Sequence, residues 1–125
     1  TWQEAFDVNV VATAMLTSAF APDMLERGFG RIINMSSGIR DLPQLGPYSA
    51  SKAAVDKYTA DLVAELDGTN VLVSTLDPGW LKTDMGGPNA DHDVTTVLPG
   101  ALIPALLPAG KRNGQRFLAQ EYEWR

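Results

Sequence analysis

The sequence predicts an α/β fold: a parallel sheet of about three strands flanked by helices. Three observations predict it. Two short, almost continuously apolar runs, Arg31–Ser36 and Val71–Leu76, suit strands covered on both faces. Between them, Tyr48–Asp67 places Ala53, Ala54, Tyr58, Leu62 and Leu66 three or four residues apart, the period of a helix. A strand–helix–strand unit of this kind crosses over right-handed and leaves its strands parallel.

The remaining elements follow in order. Thr1 and Glu4 have capping-box spacing, so a helix starts at the first residue. Trp2, Phe6, Val10, Ala14, Phe20 and Met24 continue it to Gly28, with Pro22 expected to kink or split it. Gly28–Gly30 is a turn, and Ser37–Pro47 a loop rich in glycine and proline. Gly68 ends the central helix. Asp77–Pro78–Gly79 breaks the second strand, and Trp80–Asp93 is irregular. Val94–Leu107 is expected to be a helix interrupted by Pro99 and Pro104, and Gln115–Glu121 a last strand.

Composition sets bounds on function. With 125 residues and 45% hydrophobic content the chain can bury the core of one domain. A net charge of −5 argues against nucleic acid or an anionic membrane as partner. The absence of cysteine removes disulfides, thiol nucleophiles and cysteine–zinc sites. No secretory signal or membrane span is read, and a cytoplasmic location is expected. Thr1 replaces an initiator Met while the first residues already read as fold interior, so the expectation is a fragment of a longer protein.

In open parallel sheets ligands bind beyond the carboxyl ends of the strands. Here those ends are Ser36–Ser37 and Asp77–Gly79, and the first leads toward Tyr48. Tyr48 and Lys52 lie four apart at a helix start and share one face. A phenol titrates at about 10, and a fixed ammonium beside it favours the phenolate. Bringing that value near 7 takes roughly 4 kcal/mol of differential stabilisation and would yield a general acid/base. An ordinary helix face has the same spacing. Ser37 can hydrogen-bond a substrate oxygen or simply cap its loop. Asn9, a poor helix former in mid-helix, is either solvated or holds a water. Pro78, Gly79 and Thr83 form either a ligand-holding loop or a common turn. His92, between Asp91 and Asp93, reads as part of a solvated loop rather than a metal site, and no metal is expected.

Together, Ile32–Ile33–Asn34–Met35–Ser36–Ser37, Tyr48–Ser49–Ala50–Ser51–Lys52 and Asp77 through Met85, with Asn9 in Val8–Asn9–Val10, resemble the short-chain dehydrogenase/reductase family from residue 1 to about residue 121. The resemblance implies the C-terminal, catalytic half of a Rossmann-like doubly wound domain. It implies an NAD(P)-dependent oxidoreductase that moves a hydride between NAD or NADP and a secondary alcohol or carbonyl. Tyr48 would be the general acid/base, and Lys52 would lower its pKa and hold the nicotinamide ribose. Ser37 would position substrate, and Asn9 would hold a proton-relay water. Pro78, Gly79 and Thr83 would line the nicotinamide, and Trp80 with residues 84–95 would form the substrate loop. Helices 1–27 and 48–67 would build a homo-oligomer, with Ala50, Ala53 and Ala54 allowing close approach.

Two features depart from the family pattern. The loop from Ser37 to Tyr48 is slightly short, and no glycine-rich phosphate turn is present, since Gly28–Phe29–Gly30 precedes a strand. The chain is therefore expected to be incomplete for activity by itself. A non-catalytic structural or dimerisation fragment is the alternative. A sugar-nucleotide epimerase or dehydratase would share the Tyr/Lys pair but needs a longer C-terminal part.

Overall fold

The structure is a computed structural model that describes residues 1–38 and 46–124. Its sheet has three strands in the order β1 (Gly30–Met35), β2 (Val71–Asp77), β3 (Arg116–Leu118), all parallel. Ile32 lies opposite Val73 and Met35 opposite Leu76. Helix α3 (Pro47–Glu65) makes the crossover between β1 and β2. Pro47 stands at its first turn, where a missing N–H leaves no helical bond unmade. Gly68, just past its end, takes the left-handed conformation (φ 75°).

The N-terminal helix opens as expected, with Thr1 and Glu4 closing a capping box. It does not divide at Pro22. Helix α2 (Ala12–Arg27) runs through that proline, and the break falls earlier, at a π-helical turn over Asp7–Val11 that separates α1 (Trp2–Phe6) from α2. The Asp7–Val–Asn–Val–Val run holds three β-branched residues and an asparagine, all poor helix formers, so the ladder is weakest there. The Ala12 N–H bonds the Asp7 carbonyl five residues back. The Thr13 hydroxyl donates to the Asn9 carbonyl at 2.9 Å.

Alternation along β2 assigns the two faces of the sheet. Val71 and Val73 pack with Leu62 of α3 and with Leu66 just past its end, joined by Met24 of α2 and Ile32 of β1. Leu76 faces the other way, against Phe117, Ala119, Val97 and Ile103. Every residue of β2 is buried, as its apolar run requires. That second face is not covered by the helix expected over 94–107. Three short 3₁₀ turns stand there instead, Val94–Val97, Gly100–Leu102 and Pro104–Leu106, because Pro99 and Pro104 deny the i−4 bonds of an α-helix. The last strand is also shorter than expected and ends in a 3₁₀ turn at Ala119–Glu121.

Among the described residues β1 is an edge strand. Helices α1 and α2 and the π turn between them expose Trp2, Val8, Met15, Leu16 and Phe20. Trp2–Arg27 holds an 18-residue stretch of mean hydropathy 1.3 and is long and apolar enough to cross a membrane by length and composition alone. Reading the sequence had not flagged it. The same segment packs against α3 and β1, which a core-covering helix also does.

Candidate active site

The two strand ends singled out from sequence meet in space, because β1 and β2 are neighbours in register. The Ser36 N–H bonds the Leu76 carbonyl at 2.7 Å, continuing the ladder one residue past β1. Ser36 and Asp77 therefore lie side by side on the face covered by α3.

Tyr48 and Lys52 occupy the first turns of α3, both half-buried. The Lys52 amine lies 5.9 Å from the centre of the Tyr48 ring. It donates to the Met35 carbonyl, the last of β1, at 3.3 Å. Burial pushes the amine below the usual lysine value, and the Asp56 carboxylate one turn on opposes that shift. Ser37 is half-buried and directly follows this strand end.

Asn9 reaches the same region through a residue that sequence reasoning did not single out. Its amide donates to Ser51 Oγ at 2.9 Å, and that hydroxyl donates to the Tyr48 carbonyl at 2.8 Å. Ser51 is fully buried. The π turn places Asn9 at this contact, in keeping with the frequent use of such turns at functional sites. Asn9 and Lys52 both line a cavity of about 350 Å³ between α2 and β1, together with Asn34 and Met35. Tyr48, Ser37 and the 78–83 segment are outside its lining.

Gly79 adopts a left-handed φ of 80°, and the Gln120 amide fills the space a side chain would need, 2.6 Å from the position of a Cβ. Gln120 Nε2 also donates to the Pro78 carbonyl at 2.6 Å, so the turn is held from the C-terminal segment. Thr83 is exposed, and its hydroxyl accepts from the Gly86 N–H at 3.1 Å. The exposed Trp80 donates from its indole to the Gly86 carbonyl at 2.9 Å. His92 pairs through its backbone with Trp80 and Lys82, closing the 80–92 loop. Among the described residues no three His, Asp or Glu side chains gather as a metal site would.

Three further residues emerge. Arg116 donates to Asp77 and Ser36 at 2.8 Å each, and Ser36 donates to Asp56 at 2.9 Å. Asp56 could have been found from its place four residues after Lys52. Arg116 and Gln120 gave no signal, because their partners lie 24 to 80 residues away in sequence.

This arrangement defines a parallel α/β protein with a Tyr/Lys pair at the carboxyl end of its sheet. Residues 1–93 match the short chain dehydrogenase family, and the chain belongs to that family. It is 41% identical over 121 residues to a short chain dehydrogenase of Pseudocercospora fijiensis, covering 95% of this chain and 38% of that protein. It is 45% identical over 84 residues to dehydrogenase/reductase SDR family member 4 of Bos taurus, covering 66% of this chain and 30% of that one. Among solved structures, a short chain dehydrogenase from Shigella flexneri superposes with a TM-score of 0.81 at 28% identity, covering 95% of this chain and 50% of the other. The Drosophila melanogaster carbonyl reductase Sniffer gives 0.77 at 30%, covering 94% and 55%. The chain thus spans about a third of these curated relatives and about half of these solved chains.

Proposed function

We propose that residues 1–125 are the catalytic part of an NAD(P)-dependent oxidoreductase acting on a secondary alcohol or carbonyl. The observation that carries this reading is the position of the Lys52 amine, held between the Tyr48 ring and the end of β1 and lining one cavity with Asn9.

The residues present fit the nicotinamide end of the cofactor. Lys52 is a partly desolvated ammonium with N–H donors beyond the one given to Met35, suited to ribose hydroxyls. Pro78, Gly79 and Thr83 would lie along the ring. For the pyrophosphate the described residues offer no glycine-rich turn opening a helix. When bound, the cofactor supplies or accepts the hydride.

This chain's own residues handle the proton. Tyr48 takes it from the substrate alcohol during oxidation and returns it to the carbonyl oxygen during reduction. The Lys52 amine stands beside the group that moves the proton, 5.9 Å from the centre of the Tyr48 ring. Ser37 holds the substrate oxygen by its hydroxyl. Asn9 gives its amide N–H to Ser51, leaving its carbonyl oxygen to hold a relay water. Trp80 and the 84–95 segment cover the substrate. The exposed apolar face of α1 and α2, with Ala50, Ala53 and Ala54 of α3, is the proposed oligomer contact.

The test joins residues 1–125 to the nucleotide-binding half of a related short chain dehydrogenase and follows NADPH oxidation at 340 nm with a small ketone, comparing the wild-type sequence with Tyr48→Phe. Turnover in wild type and none in Tyr48→Phe is expected. Equal turnover in both removes Tyr48 from the mechanism. No turnover and no cofactor binding by wild type favours a structural or dimerisation role.

A further inference from the structure

We propose that Arg116 is a positioning residue that joins the two arms of the active site, the Lys52 arm on α3 and the Pro78–Gly79 arm after β2. The proposal rests on the reading of those arms as the reaction centre, and it concerns a residue outside the span matched to the family.

The hydrogen-bond directions are fixed by chemistry. Arginine only donates and an ionised carboxylate only accepts. Arg116 Nη2 donates to Asp77 Oδ2 at 2.8 Å and Nη1 to Ser36 Oγ at 2.8 Å. Ser36 has therefore spent one lone pair on Arg116 and donates its own proton to Asp56 Oδ1 at 2.9 Å. The other Asp77 oxygen accepts the Gly79 N–H at 2.9 Å. One continuous chain, Gly79–Asp77–Arg116–Ser36–Asp56, thus runs from the turn after β2 to the helix turn following Lys52.

The two groups that Arg116 grips are buried, although Arg116 itself is exposed. Ser36 is 3% exposed and Asp77 8%. A charge-assisted bond in such surroundings is stronger and better directed than one in water. Two donors of one rigid guanidinium plane aim at two different acceptors, which a lysine ammonium on a flexible stem cannot reproduce. Asp56, placed by Ser36, is also the carboxylate that acts on the Lys52 amine. Gln120 grips the same turn independently through the Pro78 carbonyl.

The test is a double-mutant cycle on the full 125-residue chain with Ser36→Ala, Arg116→Lys and the double variant. Arg116→Lys keeps the charge beside Asp77 and Ser36→Ala leaves that ion pair intact, so both should fold. A melt of each verifies it. The first readout is the Gly79 amide resonance in ¹H–¹⁵N spectra. Ser36→Ala is expected to shift it in the wild-type background and to have no effect once residue 116 is lysine. A role confined to local stability would not produce that dependence. The second readout is NADH affinity by fluorescence, expected to weaken about fivefold in each single variant and no further in the double. A Gly79 resonance unmoved by Ser36→Ala, or additive effects in the double variant, would overturn the proposal. Failure of wild type to bind NADH would count against the functional reading, while the Gly79 resonance would still decide the link through Arg116.

Discussion

Removing the Ser51 hydroxyl severs the path from the π turn to the start of α3. Ser51 is fully buried and makes two bonds, accepting from Asn9 and donating to the Tyr48 carbonyl. Each contributes about 1 kcal/mol, and alanine returns roughly 0.5 kcal/mol in helix propensity, so Ser51→Ala should cost about 1.5 kcal/mol. Asn9→Ala loses one bond and regains roughly 0.5 kcal/mol of propensity, so its own cost should be about 0.5 kcal/mol. Only the cycle isolates the contact: Ser51→Ala, Asn9→Ala and the double variant should show a coupling of about 1 kcal/mol. Urea denaturation followed by far-ultraviolet circular dichroism measures it. With a slope of about 1.5 kcal/mol per molar, the Ser51→Ala midpoint should fall by about 1 M. A coupling below about 0.3 kcal/mol, the scatter of independent sites, would refute the bridge.

Two further predictions concern the core and the buried amine. Val73 is wholly buried between α3 and β1. Val73→Ala removes two methylene equivalents and leaves a void, so stability should drop by about 2.5 kcal/mol and the Tm by about 10 °C in a thermal melt; a loss under about 1 kcal/mol would contradict the packing. Lys52 has its pKa lowered by burial, so the folded chain releases that proton before the unfolded one does. Wild-type stability should therefore carry a contribution that rises with pH from the folded value up to 10.5, the unfolded one. Lys52→Met should lack that rise and be the more stable at pH 7. Parallel curves of Tm against pH for the two proteins would show the amine is not desolvated.

The parallel unit was legible because its signals are local. The apolar runs at 32–35 and 71–76 and the three-to-four spacing along α3 name their elements without reference to the rest of the chain. The Tyr48/Lys52 spacing and the strand-end rule together put both arms of the site at one end of the sheet. The π turn was missed because a single extra residue in a helix hardly alters its period, although the Val–Asn–Val–Val run marks the weak point. The 94–107 segment was misread because its leucines and alanines fit a helix while its two prolines forbid one. Arg116 and Gln120 were invisible for a different reason. Their partners at positions 36, 77 and 78 come near only once β3 has joined the sheet.

The central claim is that Tyr48 and Lys52 form a working pair, one for the proton and one for cofactor. It is tested most directly by titrating NAD(P)H into wild type, Tyr48→Phe and Lys52→Ala and following nicotinamide fluorescence. Saturable binding that survives in Tyr48→Phe and is lost in Lys52→Ala is the expected result. Binding that Lys52→Ala leaves untouched, or that is missing from wild type at millimolar cofactor, would contradict the account.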